Sequence, residues 1–363
     1  MNRRLSTHVD DPMRREAQQG RRSLRRSSLY FLTLAAALVA QALAPAMLAA
    51  QTKASRYSYW DVQFFTQDTG WLAESEMLLR TADGGRTWVR QQPTGNSSLG
   101  RDLVYHMQFL DATHGWILSE GSRLYRTTDG GQSWQAIVVA PPAWRTPGGL
   151  EYGTDLDKLR MVSPLVGFGL DSTGDQLLRT TDGGVTWRTS RIVDPRREFR
   201  DVFFLDAAQG WVTGVDGRYA HTTDGGQTWQ IRSPIPVRGP LGLHFLTATQ
   251  GWVLETDGHR EVYRTTNAGQ SWARCAPAQT VPDVWRFTFR TPALGWAVAS
   301  GGVVLRTTDG CATWQVVQTP VTVELRGLHF VTDTIGWAVG DEGAVLKTTD
   351  GGLTWTLVPV NVP

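Results

Sequence analysis

Carboxylates are the first residues here whose type and spacing could do chemistry. Asp83, Asp129, Asp182, Asp224, Asp309 and Asp350, with Asn267 fifth in the series, each head a glycine-containing turn. A tryptophan follows each of them five positions later: Trp88, Trp134, Trp187, Trp229, Trp272, Trp314 and Trp355. An Asp-Gly-Gly string can be mistaken for a calcium loop, but each turn supplies one carboxylate where a hard cation takes ~6 to 8 oxygens. A local role fits better. An Asp opening a tight turn accepts hydrogen bonds from backbone N–H groups two residues on, glycines allow positive φ, and threonine hydroxyls satisfy nearby backbone groups. These residues are read as structural, and neither a metal nor a cofactor is expected.

The elements that carry the turns follow from their spacing, which runs 46, 53, 42, 43, 42 and 41 residues. A period in the low forties with short β-rich segments is the mark of a radial array with four strands per unit. Seven units give an all-β, seven-bladed β-propeller with this turn in every blade. In the last unit, strand A starts at Gly327, strand B opens on Gly336-Trp337, strand C covers Val345 to Thr349, and strand D covers Thr354 to Val358. The Gly-Trp pair recurs at Trp71, Trp116, Trp211, Trp252, Trp296 and Trp337, with Gly167-Phe168 once in its place. The indoles after the turns are expected to pack between blades, each burying ~150 to 250 Å². Ring closure has two readings: packing alone, or strand exchange using Tyr57 to Phe65 or Thr354 to Val362.

Functional candidates lie where repetition breaks down, at the starts of the inner strands. Alignment places Trp60, Tyr105, Asp157, Arg200, Leu241, Trp285 and Arg326 in one column. Asp61, His106, Lys158, Asp201, Gly242, Arg286 and Gly327 form the next. Both sit near the channel mouth, where variable loops on a rigid scaffold place ligands. Flanking loops add Arg101, Asp102, Arg196, Arg197, Glu198, Arg238 and Glu324. Arginines among aromatics suit protein contacts, since a guanidinium pairs hydrogen bonds and stacks, although a solvated rim of ion pairs explains part of them. Trp60, Arg200, Trp285, Arg286 and Arg326 are the expected polypeptide-binding patch. Trp144 and Arg145 join them from an insertion over 140–155 that accounts for the longest spacing. A second ring of bases, Arg80, Arg126, Arg179, His221, Arg264, Arg306 and Lys347, stands three positions before the keyed residues. Long cations on strand C can cover a blade face or stack on tryptophan, so this ring is read as structural.

The turns follow Ser/Thr-x-Asp-x-Gly-x-Thr/Ser-Trp, and the chain in this respect resembles the Asp-box, or bacterial neuraminidase repeat, proteins. Seven units, a Gly-Trp on strand B and an export signal make it most similar to the photosystem II stability and assembly factor family, over roughly residues 57 to 358. That resemblance implies a non-catalytic protein that binds a membrane protein or its precursor on the exported side of a membrane and helps it assemble, with no cofactor, acting as a monomer. Blade five departs with Asn267-Ala268-Gly269, and blade six with Cys311 in place of the second Gly. Sialidases and xyloglucan hydrolases share the turn, so a carbohydrate-binding or glycoside hydrolase-like propeller is the alternative; a sorting-receptor-like module is a third. No Arg-Ile-Pro motif of sialidases occurs, the nearest string being Arg232-Ser233-Pro234-Ile235-Pro236, and xyloglucan hydrolases use two propellers. Asp61 and Asp201 hold equivalent places, and glycosidases need carboxyls ~5 to 9.5 Å apart. These two stand nearly across the channel, and capping of strand ends is the expected role.

Residues 1 to 50 read as a signal peptide or N-terminal membrane anchor, and 51 to 363 as the propeller. Arg21, Arg22, Arg25 and Arg26 precede an apolar run from Leu29 to Leu43, with cleavage expected after Ala46, Ala49 or Ala50. The leader has eight Arg and three acids, so the rest carries a net charge of −3, which removes the main compositional support for nucleic-acid binding. The protein is expected to be exported, periplasmic or extracellular, and held close to a membrane. Its two cysteines, Cys275 and Cys311, fall in different blades and are expected at opposite ends of outer strands. Two inert thiols are expected rather than a bridge, although the compartment would permit one.

Overall fold

The structure is a computed structural model. It describes residues 58–74, 77–91, 104–119, 123–139, 144–145, 151–152, 156–171, 174, 176–192, 199–232, 235–236, 239–255, 261–275 and 283–360. These form seven four-stranded antiparallel sheets, each in the order A-B-C-D, and one two-stranded hairpin. The inner strands are Tyr59–Phe64, Val104–Phe109, Leu156–Met161, Phe199–Phe204, Pro240–Phe245, Val284–Phe289 and Leu325–Phe330. Every one of the seven sheets is built from consecutive strands, so no strand is exchanged between blades among the described residues. Outer strands are shorter than the sequence implies: that of blade seven is only Thr356–Leu357. The turn residues before it are consumed by the hydrogen bonds of the keyed Asp.

In blade one, Thr81 Oγ1 donates to Asp83 Oδ1 at 2.9 Å and accepts the Gly85 N–H at 2.9 Å. Asp83 accepts the Thr87 N–H at Oδ1 (2.9 Å) and the Thr87 hydroxyl at Oδ2 (2.7 Å). The carboxylate therefore reaches N–H groups four residues on, not two. The Thr87 N–H, the Thr87 hydroxyl and the Thr81 hydroxyl hold the Asp83 pKa down at about 2. Asn267 supports the same turn, since its Oδ1 accepts the Ser271 N–H at 3.0 Å and its Nδ2 donates to Ser271 Oγ at 2.9 Å.

The core is seven clusters, each drawing on two neighbouring blades. At the centres of five of them, the strand B tryptophan of one blade stacks on the strand A phenylalanine of the next; Phe168 takes the tryptophan's place on Phe204, and Met161 takes the phenylalanine's place in the cluster with Trp116. Trp71 lies on Phe109 at 4.1 Å, Trp211 on Phe245 at 3.8 Å, Trp252 on Phe289 at 3.9 Å and Trp296 on Phe330 at 3.6 Å. Trp337 of blade seven lies on Phe64 of blade one at 3.6 Å, so the last seam closes with the same stack as four others. The phenylalanine also explains the Gly before each tryptophan. A Cβ at Gly115 would stand 2.2 Å from the Phe109 ring, and one at Gly336 would stand 2.6 Å from Phe330.

The cysteines require a correction, because Cys275 and Cys311 form a disulfide with Cα atoms 5.1 Å apart. Cys275 does follow its outer strand, Ala273–Arg274, and Cys311 does precede its own, Gln315–Gln318; the stagger between neighbouring blades brings the two together. The residue three positions after each keyed tryptophan lies beside the second turn glycine of the following blade. A Cβ at Gly131 would sit 3.2 Å from Gln91 Oε1, and one at Gly85 would sit 3.7 Å from Val358 Cγ1. Ser190 Oγ donates to the Gly226 carbonyl at 3.0 Å across the same kind of seam. Cys275 and Cys311 hold those two places at the seam between blades five and six.

Candidate functional site

Each inner strand presents two tiers of side chains to the channel, separated by the period of two along a strand. A β-bulge at each strand's start sets the upper tier, as between Tyr59 and Asp61 and between Phe199 and Asp201. At these bulges the two aspartates cap backbone. Val62 N–H donates to Asp61 Oδ1 at 2.9 Å, Val202 N–H to Asp201 Oδ1 at 2.9 Å, and Leu243 N–H of blade five to Asp201 Oδ2 at 3.0 Å. Burial pushes both carboxyls up, opposed in Asp61 by Arg286 and in Asp201 first by the Leu243 N–H.

Part of the expected patch forms one cluster across blades six, seven and one. Trp285 Nε1 donates to Ser300 Oγ and Glu324 Oε2. The Arg326 guanidinium lies 5.0 Å from the centre of the Trp285 ring and pairs bidentately with Asp341, Nε to Oδ1 at 2.7 Å and Nη2 to Oδ2 at 2.8 Å. These bonds lower the Asp341 pKa and raise that of Arg326. Arg286 of blade six reaches across to Asp61 of blade one. Gly327, between them in blade seven, leaves the room, since a Cβ there would stand 3.1 Å from the Asp61 Cα. About a third of each arginine stays exposed, 36% for Arg326 and 39% for Arg286.

Trp60 is half-buried against the core cluster between blades one and two, so much of its ring serves packing. Arg200 stands apart on blade four, exposed and without an ion pair or hydrogen bond among the described residues. Trp144 and Arg145 form one strand of the hairpin, pairing with Glu151–Tyr152. Arg101, Asp102, Arg196, Arg197, Glu198 and Arg238 lie outside the described residues. The ring of strand C bases covers tryptophans and ties seams together. Arg80 sits 5.7 Å from the Trp71 centroid, Lys347 4.8 Å from Trp337, and His221 stacks on Trp211 at 4.9 Å. Arg306 Nε donates to the Gly351 carbonyl of the next blade at 2.9 Å.

The lower tier was not singled out from sequence. Gln63, Gln108, Arg160, His244 and His329 each stand one position before the strand A terminus, and each bonds to the backbone of the following blade. Gln63 Nε2 donates to the Phe109 carbonyl at 2.6 Å while Oε1 accepts the Phe109 N–H at 2.9 Å. His329 Nδ1 accepts the Phe64 N–H at 3.2 Å across the last seam. Strict alternation from the upper tier would have pointed to these residues.

A closed ring of seven blades, with a turn keyed by Asp or Asn in each and a mouth of partly exposed arginines and indoles, defines an Asp-box propeller. The profile of the photosynthesis system II assembly factor YCF48 family matches residues 47–150 and 149–275, and the chain belongs to that family. No curated protein sequence matches it. Among solved structures, YCF48 bound to a D1 peptide is 20% identical, with a TM-score of 0.63 over 81% of this chain and 94% of that one. YCF48 from Cyanidioschyzon merolae is 18% identical, with a TM-score of 0.62 over 82% and 96% of the two chains. A GH74 enzyme from Niastella koreensis is 12% identical, with a TM-score of 0.63 over 83% of this chain and 54% of that one. At these identities the structural likenesses speak to fold alone.

Proposed function

We propose that this protein is a non-catalytic, exported assembly factor whose channel mouth binds an extended segment of a membrane protein or its precursor. The observation that carries the reading is the mouth itself on a propeller of this family: exposed Arg200, the Trp285–Arg326 stack and Arg286, all mounted on seven rigid blades. A guanidinium that keeps part of its fork in solvent can take a carboxylate or a backbone carbonyl of a peptide while its plane stacks. The likeness to YCF48 bound to a D1 peptide supports a polypeptide ligand. The Cys275–Cys311 bridge suits an oxidising, exported compartment, with the protein acting there as a monomer close to a membrane.

The test is capture from detergent-solubilised host membranes on the immobilised protein, beside a variant with Arg200, Arg286 and Arg326 all changed to Ala. A defined membrane protein retained by the parent and lost by the variant, and then bound as a synthetic peptide, is the expected result. Equal capture by both refutes the mouth as the site.

The GH74 likeness favours one second reading, a carbohydrate-binding mouth with Trp60 and Trp285 as sugar platforms. Under the reading adopted here, Asp61 and Asp201 hold backbone rather than a glycosidic oxygen, and xyloglucan is neither bound nor hydrolysed.

A further inference from the structure

Below the mouth the channel contains a cavity of about 190 Å³, bounded by inner strands of blades one, two, three, six and seven. Gln63 and Gln108 in its wall are saturated, each accepting and donating to the backbone of the following blade. Asp61, also in the wall, accepts the Val62 N–H and is paired with Arg286. Four other side chains keep hydrogen-bonding capacity. Arg160 donates Nε to the Phe204 carbonyl at 3.3 Å and lies 4.5 Å from the Phe203 centroid, but makes no ion pair with any described carboxylate. Arg286 commits Nη1 to Asp61 and borders the cavity with the rest of its fork. His329 accepts the Phe64 N–H at Nδ1, which places the proton of the neutral ring on Nε2 as a donor. His106 Nε2 is buried with no partner.

The charge states are set by the surroundings. Burial, reinforced by nearby arginines, holds His106 down at about 3 and His329 at about 4, so both rings are neutral at physiological pH. Burial lowers Arg160 only to about 10, so it stays cationic. Arg160 is half-buried and has the charge of Asp201 nearby, but no carboxylate touches it, so an anion or ordered water is left to complete its hydrogen bonds. A ligand that suits the wall must bring negative charge to the two arginines, accept from His329 and donate to His106. An oxyacid that retains one proton has that set of groups, and the space equals about six water volumes.

We propose that this cavity binds a small, singly protonated oxyanion of the dihydrogen phosphate class, held by Arg160 and Arg286 with His329 donating and His106 accepting. The site shares Arg286 with the mouth, but its test reads Arg160 and His106, which lie outside the proposed peptide patch, so the two readings fail separately. Isothermal titration of the full chain with inorganic phosphate, against sodium chloride at matched ionic strength, tests it. One saturable phosphate site is expected, weakened about tenfold or more in Arg160→Gln and in His106→Phe and unchanged in Arg90→Gln on the outer strand of blade one. Heats that match chloride overturn the proposal and leave a water-filled cavity, as does equal affinity in Arg160→Gln. If that variant does not fold by circular dichroism, His106→Phe decides, because a ring of similar shape keeps the packing and removes the acceptor.

Discussion

The bridge between blades five and six can be dissected because the other blades show what would stand there without it. The second turn position is Gly in the other six turns, and the partner position is Val317 in blade six and Val358 in blade seven. The cysteines are 36 residues apart, and a loop of that length contributes about 4 kcal/mol through the unfolded chain. Cys311 also holds φ at 76°, a left-handed value that costs a non-glycine residue about 1 to 2 kcal/mol. Cys311→Gly loses the first term and recovers the second, for a net loss of about 2 to 3 kcal/mol. Cys275→Val loses about 4 kcal/mol and recovers nothing at the turn. Equilibrium urea unfolding, followed by tryptophan fluorescence and near-ultraviolet circular dichroism with and without dithiothreitol, measures the three proteins. Oxidised parent, Cys311→Gly and Cys275→Val should fall in that order, and under reduction Cys311→Gly should become more stable than the parent. Equal stability of the two variants, or a parent indifferent to dithiothreitol, refutes the reasoning.

Gly115→Ala places a methyl 2.2 Å from the Phe109 ring and should cost about 1 to 3 kcal/mol by thermal melt, whereas Gly301→Ala, with nothing within 4 Å, should cost only its left-handed backbone term. Thr307→Ala removes the acceptor of the Cys311 N–H and should cost about 1 to 2 kcal/mol in urea, with Thr307→Ser restoring it. His106, His244 and His329, held by burial at about 3, 4 and 4, bind fewer protons folded than unfolded. Their stabilisation is therefore complete above their unfolded pKa, ~6.5, and is lost as pH falls toward their folded values. Asp61 and Asp201, raised by burial, act in the opposite sense over the lower part of that range. Each uncompensated proton is worth about 1.4 kcal/mol per pH unit, and His329→Asn, which keeps an acceptor for Phe64, should flatten a plot of stability against pH; an unchanged slope counts against the assignment. Arg200→Ala should leave the melting temperature unchanged while weakening capture of a membrane-protein segment, and parallel loss of both would mean the residue is structural.

Blade number and strand order were legible because the keyed turn and the Gly-Trp pair each solve a local problem that recurs seven times. The roles of Asp61 and Asp201 were also accessible, since a carboxylate at a strand's start has backbone N–H groups within reach. The disulfide was not, because the contact between Cys275 and Cys311 belongs to a seam, and strand positions within one blade say nothing about which turn of the next blade they meet. The lower tier escaped notice for a related reason. Gln63 and His329 look like ordinary polar residues on half-buried strands until the neighbouring backbone that they bind is in view. Arg200 and Arg326 fell in one alignment column, yet that column is a circle in space, so membership in it does not bring two residues together.

The stack of Trp337 on Phe64 makes the junction of the first and last blades chemically the same as most of the other seams. Which blade comes first in the propeller is then an accident of ancestry and not a requirement of the architecture. A gene reopened between blades two and three, with blade seven joined to blade one by a short linker, should encode the same ring. A closed circle of this kind also admits duplication or loss of whole units as an evolutionary step, because among the described residues no one blade carries a device that its neighbours lack for sealing the circle. Blades five and six are the exception, since a covalent link has made that pair inherit as one.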